Sequence, residues 1–534
     1  MIQENPGKAP INQKGSVFMK PTSIFLSLIH VGVACSVISG CQRTHKNDKN
    51  ESSDSGEKPN IIFIMADDIG YNDLASYGQQ SLPTPSTDQL AQEGMRFTDA
   101  HAPSAVSSPT RYSVLTGTDP FRQYHTSHVL FNGEPLVIGK QESTVASLLQ
   151  QGGYSTGVIG KWHVGLGDTI PRDINHSGRG PNETGFDYSF LIPDGHNMDP
   201  KYYIENGQVV RYTPHHYRSK TEILDRVGYK LVQHIPSEEW KNRRPGDKIS
   251  AMIADKADAF IEKNKDQPFF LYYPTHTIHW PFTPGSQFAG KSGINPLADF
   301  ILEFDWLVGR IMKTLDRLGL ANNTLLIVTS DNGGYGKDRY NGTPISHNPN
   351  HPWRGHKSTA YEGGHRVPFI ARWPGYIEPG STNDETISLV DLTATLCAMA
   401  NIKLQPDDAL DSYNMLPALL NEDHKDIRNY TVMGTRGMEK LVLRQGPWKL
   451  IYAHEDEKME LYHLDEDSTE RNDLSDTHPK MVKKLQDSLF HYFESGASRP
   501  NAKATGNSLD NILMQREERN RMIQKRFGDS SPGK

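Results

Sequence analysis

The chain has 534 residues, a formal net charge of −7 and only three cysteines. This length is too great for one small core and predicts a large domain with a smaller one beside it. A nucleic-acid-binding protein needs a basic face, and the acidic balance of this chain argues against one. We therefore expect no nucleic-acid partner, and basic residues that gather in a pocket would serve a local purpose.

The first 58 residues have the composition of an export signal and a tether. An apolar run at 24–37 is followed by I-S-G-C at 38–41, which resembles the lipobox of bacterial lipoproteins. The run is shorter than the roughly 20 residues of a spanning helix, so a cleaved signal over 1–41 is favoured over a retained anchor. The polar residues 42–58 predict a tether. We expect an exported lipoprotein, anchored to the membrane by a lipid on Cys41, in the periplasm or at the cell surface.

The first predicted strand is an unbroken apolar run over residues 60–65, which is typical of a parallel strand buried on both faces. Asp67 and Asp68 follow it. Catalytic groups of open α/β sheets lie beyond the carboxyl ends of the strands. Adjacent carboxylates are costly there unless a cation holds them. The pair predicts a metal site, and a solvated turn is the alternative.

A short helix is predicted over residues 107–117, with Pro109 in its first turn and Gly117 as its C-terminal cap. Ser107 would lie at the N-terminus, where free backbone N–H groups and the helix dipole favour an anion. Arg111, one turn later, offers a planar fork suited to an oxyanion. An ordinary Ser-Pro helix cap is the alternative.

Basic side chains follow two further predicted strands. The strand over 154–159 runs into G-K-W-H, which places Lys161 and His163 on one side of an extended chain. The next strand is followed by His276 and His279, and an imidazole can give a proton to a leaving oxygen near pH 7. A core histidine or a surface lysine is the alternative at each position.

The acidic pattern recurs after a predicted strand over residues 324–329, where Asp331 and Asn332 follow. Aspartate with asparagine favours one hard ion, Ca²⁺ or Mg²⁺, because zinc sites prefer imidazole. The loop after it carries Arg354 and Lys357, which by themselves would be solvated side chains.

The pattern changes near residue 427 to antiparallel strands and a helix with one apolar face. The predicted fold is α/β: a large mixed, mostly parallel sheet sandwiched by helices, with a smaller C-terminal α+β subdomain built on an antiparallel sheet. The predicted division is a catalytic domain over 59–426, the subdomain over 427–497 and a polar tail over 498–534. Cys397 lies in an apolar helical run and is predicted to be a core residue.

Several of these strings, in this order, resemble the motifs of type I sulfatases, which belong to the alkaline phosphatase superfamily. The matching strings are N-I-I-x-I-x-A-D-D-x-G at 60–70, S-x-P-T-R at 107–111, G-K-W-H-x-G at 160–165, H-x-P at 279–281, S-D-N-G at 330–333 and G-x-K-x-x-x-x-E-G-G at 355–364. The resemblance covers roughly residues 59–494 and implies an alkaline-phosphatase-like fold.

By this resemblance, Ser107 is oxidised to Cα-formylglycine. The hydrated aldehyde has two hydroxyls: one attacks sulfur, and loss of a proton from the other expels sulfate. A serine where many relatives have cysteine implies an anaerobic sulfatase-maturating enzyme as a partner.

The resemblance also implies a role for each site residue. Lys161 bridges the modified residue and the sulfate, His163 steadies the hydrate, His279 protonates the leaving oxygen, and Lys357 contacts the sulfate. Arg111 belongs with them to a positive, donor-rich cup for the sulfuryl group. The implied ligands of one Ca²⁺ or Mg²⁺ are Asp67, Asp68, Ser107, Asp331 and Asn332.

The expected substrate is a sulfated carbohydrate, with exo action. Candidates for binding the sugar are His276, Arg354, Asp194 and His196. One alternative is a phosphodiesterase or phosphonate hydrolase with the same core, and another is an unmodified, inactive lipoprotein that binds sulfated glycans.

Overall fold

The structure is a computed structural model. It describes residues 58–130, 134–168, 178–195, 197, 202–210, 246–336, 339–340, 343–345, 347–422 and 426–527. The predicted signal, Cys41, nearly all of the predicted tether and His196 lie outside the described residues. Within the described ranges, no helix combines the length and apolarity needed to cross a membrane.

The strands of the described chain begin and end as follows. They are β1 (Asn60–Ala66), β2 (Met95–Phe97), β3 (Ala100–His101), β4 (Ser155–Lys161), β5 (Tyr188–Ile192), β6 (Tyr203–Glu205), β7 (Gln208–Val210), β8 (Phe269–Pro274), β9 (Thr324–Ser330), β10 (Arg339–Tyr340), β11 (Thr343–Pro344), β12 (Phe369–Arg372), β13 (Ser381–Asn383), β14 (Ile387–Ser388), β15 (Thr431–Gly434), β16 (Lys440–Gln445), β17 (Trp448–Ala453) and β18 (Lys458–His463).

The α-helices of the described chain begin and end as follows. They are α1 (Pro85–Glu93), α2 (Ser107–Thr116), α3 (Val145–Gln151), α4 (Ile249–Lys263), α5 (Pro296–Leu318), α6 (Glu362–His365), α7 (Leu392–Met399), α8 (Leu416–Leu419), α9 (Pro479–Ser495) and α10 (Leu509–Phe527).

The central sheet has ten strands in the order β13-β2-β12-β9-β1-β8-β4-β5-β6-β7. The run from β9 to β5 is parallel, whereas β12 is antiparallel to both of its neighbours. The predicted large mixed, mostly parallel sheet is confirmed. Because the parallel strands share one direction, their carboxyl ends lie along the same edge.

Each face of the sheet packs into its own hydrophobic core, because successive side chains of a strand point to opposite faces. Along β1, Ile61 and Phe63 enter one core, and Ile62 and Ile64 enter the other. Residues of α2, α3 and α7 fill the first core, and residues of α4 and α5 fill the second. Helices thus sandwich the sheet, as predicted. Cys397 on α7 is buried, in agreement with a core role.

The C-terminal region forms a second, smaller sheet in which β15, β16, β17 and β18 pair antiparallel in chain order. Leu485 and Leu489 of α9 lie against Leu441 and Leu450 of this sheet. The predicted antiparallel sheet and its covering helix are confirmed.

Part of the predicted polar tail over 498–534 is helical. It contains α10, whose Leu509 and Ile512 are buried in the core of the small sheet. The helix is highly polar, so it lacks the apolar stripe that signals an amphipathic helix in a sequence. Packing of its first turn holds it to the subdomain.

Candidate active site

The carboxyl ends of β1 and β9 bring the two acidic motifs together. Ala66 pairs with Ser330 in the sheet. Asp67 and Asp68, which follow Ala66, therefore lie beside Asp331 and Asn332, which follow Ser330. The backbone N–H of Asp68 donates to Asp331 Oδ1 at 3.1 Å, and Asn332 Nδ2 donates to Asp68 Oδ1 at 2.8 Å. All four side chains are fully buried. Asp68 has a left-handed φ of 74°, which turns the chain sharply after the strand.

Ser107 is the first residue of α2, as predicted, and Gly117 caps the helix in the left-handed conformation. The Ser107 hydroxyl lies 3.3 Å from Asp67 Oδ1 and 3.4 Å from Asn332 Oδ1. The predicted reactive position therefore borders both acidic strand ends. This juxtaposition joins residues separated by 40 and 225 positions in the chain.

Arg111, one turn further along α2, is fully buried beneath the carboxylates. Its Nη2 donates to Asp331 Oδ2 at 2.7 Å, and its Nη1 donates to the carbonyl of Lys161 at 3.1 Å. Burial lowers the pKa of Arg111, but Asp331 and Asp67 outweigh that effect and raise it overall. The guanidinium thus stays charged and joins α2 to the ends of β9 and β4.

Two lysines reach the acidic residues from different elements. Lys161 Nζ donates to both carboxylate oxygens of Asp67, at 2.8 and 2.7 Å, and to Ser107 Oγ at 3.4 Å. Lys357 Nζ lies 2.6 Å from Asp68 Oδ1. The side chain of Lys161 is fully buried, whereas that of Lys357 is 16% exposed. Lys357 therefore lies on the open side of the cluster.

The backbone explains how Lys357 reaches the cluster from a loop. The N–H of Lys357 donates to the carbonyl of Gly334 at 2.9 Å, and the N–H of Ser358 donates to the carbonyl of Ala105 at 2.8 Å. The loop is thus fixed both to the end of β9 and to the segment before α2. Lys357 is held beside residues that lie far from it in the sequence.

His279 lies at the opening as well, with Nε2 3.8 Å from Asp68 Oδ2 and 12% of its side chain exposed. Its Nδ1 lies 2.6 Å from the carbonyl of Trp280. A carbonyl can only accept, so Nδ1 carries the proton and Nε2 is bare in the neutral ring. Burial, followed by the charge of Lys357, lowers the pKa of His279 to about 3, although Asp68 opposes this.

The four oxygen-bearing residues fit a hard divalent cation. Burial raises the pKa of Asp67 to about 7; Lys161 opposes this rise, and Asp331 and Asp68 add to it. Burial acts to raise the pKa of Asp68 as well, but the nearby charge of Lys357 outweighs that effect and lowers it overall. Crowded, buried carboxylates with an amide oxygen are the donor set that Ca²⁺ and Mg²⁺ prefer. Ligand atoms of Asp67, Asp68 and His279 lie within 4.8 Å of one another.

The predicted sugar-binding residues are spread over different surroundings. Asp194 is buried in the loop after β5, next to Pro193, whose carbonyl accepts from the N–H of His163 at 3.0 Å. His276 is fully buried, and its ring lies edge-on to Phe300 of α5 at 5.5 Å. Thus His276, unlike His279, is packed in the second core. Its binding role and that of Asp194 stay predictions.

Arg354 is directed toward the C-terminal subdomain. Its guanidinium lies 3.6 Å from the ring centre of Tyr361, and Nη1 donates to the hydroxyl of Tyr462 at 3.3 Å and to the carbonyl of Glu470. The guanidinium of Arg354, which is the group that would bind an anionic ligand, is thus already engaged in contacts within the protein. Its predicted part in binding substrate is untested.

One neighbour of the site could not be predicted from the residue pattern. The carbonyl of Leu130 lies 3.1 Å from His163 Nε2. A main-chain oxygen has no residue signature, so only the folded chain reveals this contact.

Two comparisons with known proteins identify the family to which the chain is similar. A family model described as Sulfatase matches residues 59–402, and one described as N-sulphoglucosamine sulphohydrolase, C-terminal, matches residues 350–495. The chain is 36% identical over 515 residues to an N-acetylgalactosamine-6-O-sulfatase of Bacteroides thetaiotaomicron, covering 88% of this chain and 99% of that protein. It is 37% identical over 362 residues to arylsulfatase A of Homo sapiens, covering 68% of each.

A solved structure from Bacteroides thetaiotaomicron, titled for the metabolism of multiple glycosaminoglycans, superposes with a TM-score of 0.74 at 36% identity. The match covers 81% of this chain and 98% of that one.

Proposed function

The chain belongs to the sulfatase family and is a sulfuric ester hydrolase; from this premise we propose that it removes sulfate from a sugar, using one divalent cation and a Cα-formylglycine made from Ser107. The observation that carries the proposal is the position of the Ser107 hydroxyl, 3.3 Å from Asp67 and 3.4 Å from Asn332, at the N-terminus of α2.

Asp67, Asp68, Asp331 and Asn332 would hold the cation, together with the oxygen on residue 107. A Ca²⁺ or Mg²⁺ ion bound there would stabilise negative charge on a sulfate oxygen. The three carboxylates and the cations Arg111, Lys161 and Lys357 balance in charge, so a divalent ion would leave the site net positive. Such a site favours the negatively charged sulfate ester.

Residue 107, once oxidised and hydrated, would provide one hydroxyl to attack sulfur and a second whose proton loss expels sulfate. Lys161 Nζ, 3.4 Å from the Ser107 oxygen, is placed to stabilise negative charge there. Lys357, on the open side, is placed to bind a sulfate oxygen. Donors already aimed at the developing charge are usually the largest catalytic contribution.

His279 is assigned the proton that the sugar oxygen takes as its bond to sulfur breaks. The bare Nε2 faces the cluster, because Nδ1–H is held by the carbonyl of Trp280. An anionic sulfate group near Nε2 would favour protonation of the ring. The proton on Nε2 would then pass to the leaving hydroxyl group of the sugar.

The proposed substrate is a sulfated amino sugar at the end of a glycan, and the Bacteroides relative named for N-acetylgalactosamine 6-O-sulfate supports it. The test is sulfate release from N-acetylgalactosamine 6-sulfate, with the 4-sulfate isomer as the matched control. We expect turnover of the 6-sulfate and little of the 4-sulfate. Release from neither sugar, by a protein shown to be modified at residue 107, would count against this substrate class.

Peptide mass spectrometry tests the modification directly, because conversion of Ser107 to formylglycine removes two hydrogens. Faster turnover of an aryl phosphate than of an aryl sulfate would favour the phosphodiesterase or phosphonate hydrolase alternative. Binding of sulfated glycans without turnover, by a chain with intact Ser107, would favour the inactive lipoprotein.

We further propose that an anaerobic sulfatase-maturating enzyme modifies Ser107, and that the chain is exported and lipidated on Cys41. Co-expression with such an enzyme should convert Ser107, whereas expression without it should leave serine. Cys41→Ala should move the protein from the membrane fraction to the soluble fraction. Unchanged membrane association of this variant would contradict the anchor.

A further inference from the structure

Leu130 connects the helix that carries Ser107 to His163. The N–H of Leu130 donates to Ser108 Oγ at 3.1 Å. The carbonyl of the same residue lies 3.1 Å from His163 Nε2. Ser108, Leu130 and His163 are all buried, with 2%, 3% and 3% exposure. One peptide segment is therefore held between the first turn of α2 and the end of β4.

This contact decides which nitrogen of His163 carries the proton. A carbonyl accepts only, so Nε2 must be the donor, and Nδ1 of the neutral ring is bare. Burial, followed by the charges of Lys161 and Arg111, holds the pKa of His163 well below its usual value. The ring is therefore neutral, and its tautomer matters.

The bare Nδ1 is buried and has no hydrogen-bond partner among the described residues. An unsatisfied acceptor in a buried site is costly unless a hydroxyl or N–H reaches it. The backbone of His163 has a left-handed φ of 54°, so the turn itself is held against its usual preference. The resemblance to sulfatases implies that His163 steadies the hydrate at residue 107, and Nδ1 is the ring nitrogen left available to accept from a hydroxyl of that hydrate.

We propose that Ser108, the variable second position of S-x-P-T-R, is a positioning residue: by holding Leu130, it keeps the Leu130 carbonyl on Nε2 of His163 and leaves Nδ1 free to accept from the hydrated side chain at 107. This inference rests on the proposed function. Ser108 takes no part in the chemistry itself; its proposed task is to hold its neighbours in place beside residue 107.

Removing the Ser108 hydroxyl should loosen Leu130 without unfolding its surroundings. Beyond the loop, the N–H of Leu136 donates to Gly167 at 2.9 Å and the N–H of Val137 donates to Val164 at 3.1 Å. This neighbouring segment is thus fixed independently of Ser108.

The test compares Ser108→Ala with Ser108→Thr, which keeps a hydroxyl, and with Ser113→Ala. Ser113 is a suitable control because it is buried on the same helix and its Oγ has no hydrogen-bond partner among the described residues. Each protein is first checked by mass spectrometry for conversion of residue 107. With conversion equal, we expect kcat of Ser108→Ala to fall about tenfold with KM within about twofold, as for loss of one buried hydrogen bond. Ser108→Thr should recover most of the loss.

A second readout needs no activity. Nitrogen-15 NMR of histidine-labelled, unmodified protein should show Nδ1 of His163 as a bare ring nitrogen, with His163→Gln providing the assignment. We expect Ser108→Ala to convert this signal into a mixture of tautomers. An unchanged signal, or a kcat equal to that of Ser113→Ala, would overturn the proposal. If the wild-type chain fails to release sulfate at all, the proposed function fails, while the NMR comparison still decides the role of Ser108.

Discussion

Two charge clusters in this molecule each combine three carboxylates with three Lys or Arg side chains, but their surroundings differ. The strand-end cluster holds Asp67, Asp68 and Asp331 with Arg111, Lys161 and Lys357. A second group, the joint cluster, lies between the central sheet and the small sheet. It holds Asp99, Glu362 and Glu470 with Arg366, Arg444 and Lys449, and it also contains His101 and His365.

In the joint cluster, the small sheet supplies two of the cations. Lys449 of β17 lies 2.9 Å from Glu362 and 2.7 Å from Glu470. Arg444 of β16 lies 2.6 Å from Asp99. Lys449 Nζ is also 3.1 Å from His365 Nε2, so its ammonium group already occupies the space between the acidic residue and the histidine. The cluster fastens two parts of the fold together, with Lys449 as the cation shared by Glu362 and Glu470.

Access separates the two clusters. In the strand-end cluster, the side chains of Lys357 and His279 are 16% and 12% exposed, so a ligand can reach them. In the joint cluster, the side chains of Lys449 and Glu362 are fully buried. Matched opposite charges therefore do not identify a catalytic site. The strand-end cluster differs from the joint cluster by its opening and by the oxygen-bearing side chains that follow two neighbouring strands.

The largest expected effect belongs to residue 107. Ser107→Ala removes the group that is to be oxidised and should lower kcat by about 10⁵-fold or more, as for loss of a catalytic nucleophile. The measurement is single-substrate kinetics on a sulfate ester. Ser113→Ala, on the same helix, should keep near-normal rates. Residual activity of Ser107→Ala within about tenfold of wild type would refute the nucleophile's identity.

Lys449→Met should act on stability instead of chemistry. It leaves Glu362 and Glu470 buried without their shared cation, which should cost about 3–5 kcal/mol of unfolding free energy. Urea denaturation measures this change. The fraction that stays folded should keep its KM, because Lys357, the lysine proposed to bind a sulfate oxygen, belongs to the other cluster. A normal denaturation midpoint would show that the joint cluster does not hold the fold together.

Lys357→Ala should show the opposite behaviour. It should lower kcat/KM by about 10²-fold or more, by analogy with loss of one oxyanion donor, and Lys161→Ala should do the same. Its effect on the urea midpoint should be smaller than that of Lys449→Met. Near-wild-type kcat/KM in a steady-state assay would refute the role of either lysine.

Metal removal should give the smallest effect on stability and should act on the strand-end cluster alone. An ion present at ten times its dissociation constant contributes about 1.4 kcal/mol to the folded state, so a chelator should lower the melting temperature modestly. Added Ca²⁺ or Mg²⁺ should restore it in wild type, and the gain should be lost in Asp331→Asn. An equal gain in that variant would place the ion elsewhere.

The strands and the acidic residues that end them could be predicted from the sequence because both depend on neighbours in the chain. An unbroken apolar run at 60–65 predicts a strand that is buried on both faces, and the polar residues after it must lie at the end of that strand. The helix from Ser107 to Thr116 could be predicted from local signals as well, since Pro109 and Gly117 mark its two ends. Short strings were therefore enough to select the carboxylates, Ser107 and the lysines as candidates.

The contacts that distinguish similar side chains depended on tertiary structure. His276 and His279 are three residues apart, yet one packs against Phe300 and the other faces Asp68. The chain between them is irregular, so no period fixes the direction of a side chain. The pairing of Lys449 with Glu362 spans 87 positions.

The sequence by itself therefore determined which elements form and which chemistry stands at their ends, because hydrophobic periodicity and capping act over a few residues. Only the folded chain decided which charged group is open to a ligand, which is sealed between two sheets, and which main-chain carbonyl sets the tautomer of His163. These outcomes arise from packing between segments far apart in the chain, where burial and hydrogen bonding are settled jointly.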